Sequence, residues 1–184
     1  MTHRRALLST VVGIVLSFAV TAHAGADVRR GPYRTDKVFG LGLMIGSPSG
    51  LTAKYFLGEP IALQFGLGSS HYGHHDHDGR DHGHYRNDGL HLHGDVLWHP
   101  VVLLENPTLQ LPFYVGVGAQ VRSHDDYDDH DGHSHLGARV PFGVAMDFNR
   151  VPIDVFFELA FSLEITGPGS HSYVTGSLGA RYYF

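Results

Sequence analysis

From Val38 onward the apolar residues recur at every second position, the period of a strand with one apolar face, not of a helix with an apolar stripe. The clearest run is Leu109, Leu111, Phe113, Val115, Val117, Ala119 and Val121, interleaved with Gln110, Pro112, Tyr114, Gly116, Gly118, Gln120 and Arg122. A second run, from Leu136 to Phe148, alternates with Gly137, Arg139, Pro141, Gly143, Ala145 and Asp147. After Asn149-Arg150 a third spans Ile153 to Ile165 and sets its apolar positions against Asp154, Glu158 and Glu164. Weaker alternation over 38–46, 51–57, 61–68, 89–99 and 172–184 brings the predicted total to eight strands, several too long for a sandwich.

The connections differ in kind. Ser47-Pro48-Ser49-Gly50, Gly58-Glu59-Pro60 and Asn149-Arg150 are short, 100–108 holds a Pro-containing turn, and Thr166 to His171 is a Gly/Pro loop, whereas 69–88 and 123–135 are long and rich in His and Asp. In an up-and-down meander every second connection falls at the same end. Both His/Asp-rich segments therefore belong to one end, and the turns at Gly58, Pro107 and Asn149 to the other.

Two closed architectures suit eight antiparallel strands. A soluble lipocalin-like barrel turns its apolar face inward, while a membrane barrel shows that face to lipid and fills its lumen with polar and small groups. Here the second face carries Lys54, Gln64, Gln120, Arg139, Glu158, Glu164 and Arg181 among glycines, which suits a narrow lumen where charges pair. The pairing implied by the turns sets Glu158 close to both Arg139 and Arg181. A soluble sheet with one wet face is the plain alternative. Against it, Phe39, Trp98, Phe148, Tyr182 and Phe184 all fall on the apolar register at the turn end, as in the aromatic girdle of a membrane barrel. The expected fold is all-β: an eight-stranded antiparallel up-and-down transmembrane β-barrel.

The last eight residues, Ser177-Leu178-Gly179-Ala180-Arg181-Tyr182-Tyr183-Phe184, resemble the C-terminal signal of bacterial outer-membrane proteins in Ser177, Gly179, Tyr182 and the terminal Phe184. On that resemblance the chain is similar to the small OmpA-like or Opa-like eight-stranded barrels. The resemblance implies reading by the barrel assembly machinery, outer-membrane lipid as surroundings, and the His/Asp-rich loops outside the cell. Gly46-Ser47-Pro48-Ser49-Gly50-Leu51-Thr52 also resembles hairpins of small outer-membrane proteins.

The N-terminus adds a targeting reading. His3, Arg4 and Arg5 precede an apolar run from Ala6 to Val20 that leads into Ala22-His23-Ala24, the pattern of a secretory signal with an A-x-A cleavage site. The expected organisation is a signal peptide at 1–24, a periplasmic segment at 25–37 and the barrel at 38–184. Cleavage after Ala24 leaves 11 basic residues against 18 acids, a net charge of -7. With its acids clustered and its basic residues scattered, the chain lacks the basic stripe that displaces counterions from phosphate, so nucleic acid is excluded as a partner. No cysteine is present, which removes thiolate metal sites, thiol nucleophiles and disulfides. A monomer is expected.

The candidate chemistry lies in the long connections. The first contains His71, His74, His75, Asp76, His77, Asp78, His82 and His84, and the second His124, Asp129, His130, Asp131, His133 and His135. Asp-His-Asp-Gly occurs in both, at 76–79 and 129–132. Imidazole with carboxylate suits Zn²⁺, Ni²⁺ or Cu²⁺, and the lack of cysteine disfavours Cu(I). Neither segment has the ligand order of a calcium-binding EF-hand. The expected function is surface capture of divalent transition metal for scavenging, buffering or sensing. A flexible sink without defined geometry and a solvated tract without a metal role stay open, as does an adhesin-like or structural barrel whose loops contact surface partners. His91 and His93, two apart on one strand, share the lumenal face with Asp95; they can chelate one ion or serve as polar filling.

No enzyme is expected. The adjacent pairs His133-Ser134 and His171-Ser172 would point to opposite faces of a strand, which breaks nucleophile–base geometry. A porin is excluded because eight strands enclose only enough room for side chains. Acid should reverse the charge of the two long segments. Residues 69–89 and 123–135 together hold nine Asp and two Arg, a sum of -7 that ten protonated histidines would carry to +3.

Overall fold

The computed structural model describes residues 27–29, 31–71, 88–124, 133–166 and 172–184. Nine strands run in chain order: β1 (Asp27–Arg29), β2 (Phe39–Gly46), β3 (Ser49–Gly58), β4 (Ile61–His71), β5 (Asp88–Glu105), β6 (Leu109–His124), β7 (His133–Phe148), β8 (Ile153–Glu164) and β9 (Ser172–Tyr183). Strands β2 to β9 pair with their chain neighbours, all antiparallel, and β2 pairs with β9 from Gly40↔Tyr183 to Gly46↔Ser177. That last pairing closes an eight-stranded barrel. The predicted signal segment at 1–24 lies outside the described residues.

The alternation turns the predicted faces the predicted ways. On β6, Val117 is 65% exposed and Tyr114 0%. Leu43, Ile45, Phe157, Phe161, Leu163 and Val174 are likewise exposed, so the barrel wears a continuous apolar coat, the signature of a surface solvated by lipid acyl chains. At the turn end Phe39, Trp98, Tyr182 and Phe184 are exposed and Phe148 is half-buried. Phe184 stacks on Phe39 with centroids 6.3 Å apart and meets Tyr182 edge-on at 5.1 Å.

The strands outrun the sequence pattern. β4 reaches His71, β6 reaches His124 and β7 begins at His133, so both predicted loops start and end further from the barrel's middle than 69–88 and 123–135. β5 continues through Pro100 to Glu105, which reduces the predicted 100–108 turn to 106–108. Pro100 is tolerated because the β5–β6 register shifts between Trp98 and Val101, where no ladder bond needs its missing N–H. In the shortened turn, Asn106 Oδ1 accepts from the backbone of Thr108 at 2.8 Å and of Leu109 at 2.9 Å. This local substitution for backbone partners is what makes Asn a turn former. Between β2 and β3, Gly46 adopts a φ of 127°, and a Cβ there would strike the Gly176 carbonyl of β9. This corner therefore requires glycine.

Over its described residues, the N-terminal segment 25–37 packs on the barrel's turn end. β1 pairs antiparallel with the overhang of β5, Asp27↔Glu105 and Arg29↔Val102. The Tyr33 backbone N–H then donates to His99 O at 3.2 Å. The Tyr33 hydroxyl donates to Asp147, and Lys37 Nζ binds Asp147 and also donates to Phe148 O and Ile153 O, both at 3.1 Å. Burial, then the Asp147 carboxylate, pushes the Tyr33 hydroxyl far above its ordinary range, so it remains a donor at any workable pH. Residues 33–37 thus strap across the turn-end mouth. Beside them lies a recess of about 750 Å³ bordered by Arg34, Lys37, Glu59, Asp147 and Arg150.

Asp147→Asn conserves volume but removes the charge that holds Tyr33 and Lys37. Charge-assisted hydrogen bonds of this kind contribute ~1.5–3 kcal/mol, so the variant should unfold at lower denaturant with a loss of about 2 kcal/mol. Fluorescence of Trp98, the single tryptophan, reports the transition in detergent; an unchanged midpoint would show that the strap adds nothing to stability.

Candidate functional site

The lumen is filled in tiers set by strand register. Nearest the turn end, His99 Nδ1 lies 3.0 Å from Pro60 O, and His99 Nε2 lies 2.8 Å from Lys54 Nζ. A carbonyl only accepts, so Nδ1 carries the proton and Nε2 accepts from the lysine. Lys54 also stands over the rings of Phe56 at 4.9 Å and Tyr114 at 5.0 Å, the placement of a cation on an aromatic face. Next, Arg181 donates to both oxygens of Asp154 at 3.0 Å, and Tyr183 donates to Asp154 at 2.7 Å. The pair is bidentate, with the guanidinium 4.1 Å over Phe156.

The middle tier contains Gln64, Asp95, Tyr114, Arg139 and Glu158. Arg139 Nη2 donates to Glu158 Oε1 at 2.6 Å, as expected, but Arg181 does not reach Glu158. The ladder sets Arg181 opposite Asp154 and Glu158 opposite Ser177, so the nearer carboxylate takes the guanidinium. Gln64 joins the two pairs by accepting from Arg181 Nη1 at 2.7 Å and donating to Glu158 Oε2 at 2.6 Å. A second correction concerns polarity. Met44, Leu97 and Phe156 join Tyr114 and Ala145, which the alternation placed inward, in a buried cluster inside the barrel where only polar and small groups were expected. Apolar rings fit because they lie under the cations of Lys54 and Arg181.

Above the middle tier, Ser70 Oγ meets His91 Nδ1 at 2.9 Å, Gln120 Nε2 donates to Tyr173 at 2.5 Å, and Ser162 Oγ donates to Gln120 Oε1 at 3.2 Å. Arg122 and Glu164 pair at 3.6 Å. His93 and Asp95 are both 3% exposed, with Nε2 and Oδ2 3.8 Å apart.

At the loop end the register brings predicted ligand positions to the strand tips: His71↔Asp88 across β4 and β5, His124↔His133 across β6 and β7, and His135 two steps below opposite Arg122. His135 Nδ1 donates to Thr166 O at 3.0 Å, which leaves Nε2 as the lone-pair nitrogen. His74, His75, Asp76, His77, Asp78, His82, His84, Asp129, His130 and Asp131 lie outside the described residues, as does His171 of the His171-Ser172 pair. Ser134, of the other pair, is an exposed strand residue.

Three lumenal partners escaped sequence reading: Tyr33 and Lys37, which lie in a segment without alternation, and His99, which follows three consecutive apolar residues. The lumenal parity of Asp95 and Glu158 was readable, but their proximity across β5 to β8 was not, because closure and register decide it.

No protein-family model and no curated protein sequence matches the chain. Solved structures do. The N-terminal β-barrel domain of Pseudomonas aeruginosa OprF aligns at a TM-score of 0.53 with 16% identity, over 86% of this chain and 100% of that one. Neisserial surface protein A aligns at 0.45 with 12% identity, over 88% of this chain and 100% of its own. Ail, the attachment invasion locus protein of Yersinia pestis, aligns at 0.41 with 15% identity, over 85% of this chain and 100% of its own. The OprF likeness is one of fold. Together with the closed ladder, apolar coat and filled lumen, it gives this chain the fold of the eight-stranded bacterial outer-membrane barrels.

Proposed function

We propose that the barrel resides in a bacterial outer membrane with its loop end outward and its strap end toward the periplasm, and that the two His/Asp-rich segments capture Zn²⁺, Ni²⁺ or Cu²⁺ at the cell surface. The observation that carries the reading is the concentration of ten histidines in two segments whose strand roots leave the same end of the barrel. His135 supports it further: a backbone carbonyl fixes its Nδ1 proton, the usual arrangement for presenting Nε2 to a metal. The ion itself would serve scavenging, buffering or sensing rather than a reaction. A second reading, a structural or adhesin-like barrel whose loops touch surface partners, is favoured by the filled lumen, since Arg181, Tyr114, Lys54 and Phe156 are fully buried within it and suit an anchor.

Calorimetric titration of the refolded barrel with Zn²⁺ and Ni²⁺, beside a variant whose two segments are Gly/Ser, separates the readings. Loss of at least about tenfold in affinity, or about 1.4 kcal/mol, on replacing the segments is the expected result; equal affinity would remove the surface metal role and leave the anchor.

Acid supplies a second test. Imidazole ligates only when neutral and titrates near ~6.5 in water. Zn²⁺ affinity should therefore be full near neutrality and fall as pH drops below about 6, while electrophoretic mobility reverses sign over the same interval. A flat profile from about pH 5 to 8 would assign the ion to carboxylates alone.

A further inference from the structure

Inside the barrel, apart from the His/Asp-rich segments, His93, Asp95 and Glu158 each offer a ligand atom, and these atoms lie within 4.8 Å of one another. We propose that this tier is a metal site that holds one divalent transition ion, with His93 and Asp95 as the principal ligands and Glu158 as the third.

The first support is unmet hydrogen bonding. Both ring nitrogens of His93, both carboxylate oxygens of Asp95 and Nε2 of His91 are buried with no hydrogen-bond partner among the described residues. Buried polar atoms are otherwise paired, and one so left costs ~1–3 kcal/mol. His93 Nε2 and Asp95 Oδ2, 3.8 Å apart, are the two of these that face each other and can share one occupant.

Geometry and chemistry select a metal ion. Ligand distances of ~2.0–2.2 Å set tetrahedral donors ~3.4 Å apart. The separation of His93 Nε2 from Asp95 Oδ2, 3.8 Å, closes to that with a few tenths of an ångström of side-chain movement. Imidazole with carboxylate suits a borderline ion better than Ca²⁺ or Mg²⁺, which take oxygen alone. The cradle is also shaped for these two residues. Gly66 pairs with His93 and Gly118 with Asp95 in the ladder; a Cβ at the first would strike the imidazole and at the second the carboxylate.

Arg139 is the obvious competitor, and its placement makes it a support. Nη2 donates to Glu158 Oε1 at 2.6 Å, while Nε stands 3.2 Å from Asp95 Oδ1 but out of line for a hydrogen bond, and Nη1 is unpaired among the described residues. Gln64 and Tyr114 donate to Glu158 Oε2 at 2.6 and 3.1 Å. The guanidinium therefore steers the Asp95 carboxylate from one side and leaves Oδ2 toward His93, as outer-shell groups orient metal ligands. His91, whose ring centroid is 5.5 Å from that of His93, adds a further nitrogen at the rim.

Burial gives the test its discrimination, since an ion enclosed in the lumen exchanges slowly and one held by surface segments is stripped quickly. The mature chain is refolded in detergent with Co²⁺, washed with excess chelator and assayed for retained metal and for the visible bands of protein-bound cobalt. One ion per barrel should survive the wash in the parent chain and in the variant with Gly/Ser segments, and none in His93→Gln or Asp95→Asn. Folding of each variant is checked by its heat-modifiable gel shift. Should a variant fail to fold, the Gly/Ser-segment barrel decides the matter: with imidazoles labelled by ¹⁵N, Zn²⁺ must shift the His93 resonances. No retained ion in the parent, equal retention in folded His93→Gln and Asp95→Asn, or unmoved His93 resonances would each overturn the site, whatever the surface segments do.

Discussion

Hydrocarbon offers no partner for a peptide N–H or C=O, so a chain that crosses it as strands must pair every edge, and the pairing of β2 with β9 is the contact on which the rest depends. Each unpaired group in lipid would cost several kcal/mol, which makes an open eight-stranded sheet untenable there. Closure also creates the interior. Once the first and last strands meet, alternate residues have nowhere to go but inward, and Lys54, Arg139 and Arg181 are brought face to face with Asp95, Asp154 and Glu158. The ring is anchored where it closes: Phe184 donates its backbone N–H to Phe39 O at 2.9 Å and stacks on its ring.

The lumen reconciles charge with confinement by dividing it. Arg181 and Asp154 form a bidentate pair, Arg139 leans on Glu158, and Lys54 rests on a neutral imidazole and two aromatic faces. Gln64 links the first two groups with a donor on one side and an acceptor on the other, a task an amide performs and a carboxylate cannot. Buried charges that lose a partner are strongly destabilising, so this shared arrangement ties the registers of the strands that carry it to one another.

Much of this was legible because lipid imposes a period of two. Val115, Val117 and Ala119 declare a face without any tertiary information, and Trp98 and Phe184 mark its border. Elsewhere the signal fades for physical reasons. Val96, Leu97 and Trp98 are all apolar, so hydrophobicity does not mark Leu97 as inward, and only its parity with His93 and Asp95 does. Asp154 and Glu158 both lie on the inward face of β8, and only the register sets Arg181 opposite Asp154 rather than Glu158. The segment before Phe39 has no alternation because its function is to cap rather than to span, and Tyr33 and Lys37 find Asp147 across more than a hundred residues of chain. The candidate ligands of the His/Asp-rich segments were visible as composition, whereas the meeting of His93, Asp95 and Glu158 required the strands that carry them to be in place.

β5, at 18 residues, projects well past the point where β4 begins at Ile61 opposite Trp98. An overhang of that kind presents a row of open hydrogen-bonding groups, a template onto which a strand of any neighbouring molecule could dock. In this chain Pro60, Tyr33 and then β1 occupy that row in succession. Asp27 and Glu105 are far apart in sequence, so the row is covered only after β5 has formed and the N-terminus has come back to it. The N-terminal strand thus acts as a selvedge: it finishes the raw edge that the β5 overhang leaves at the turn end.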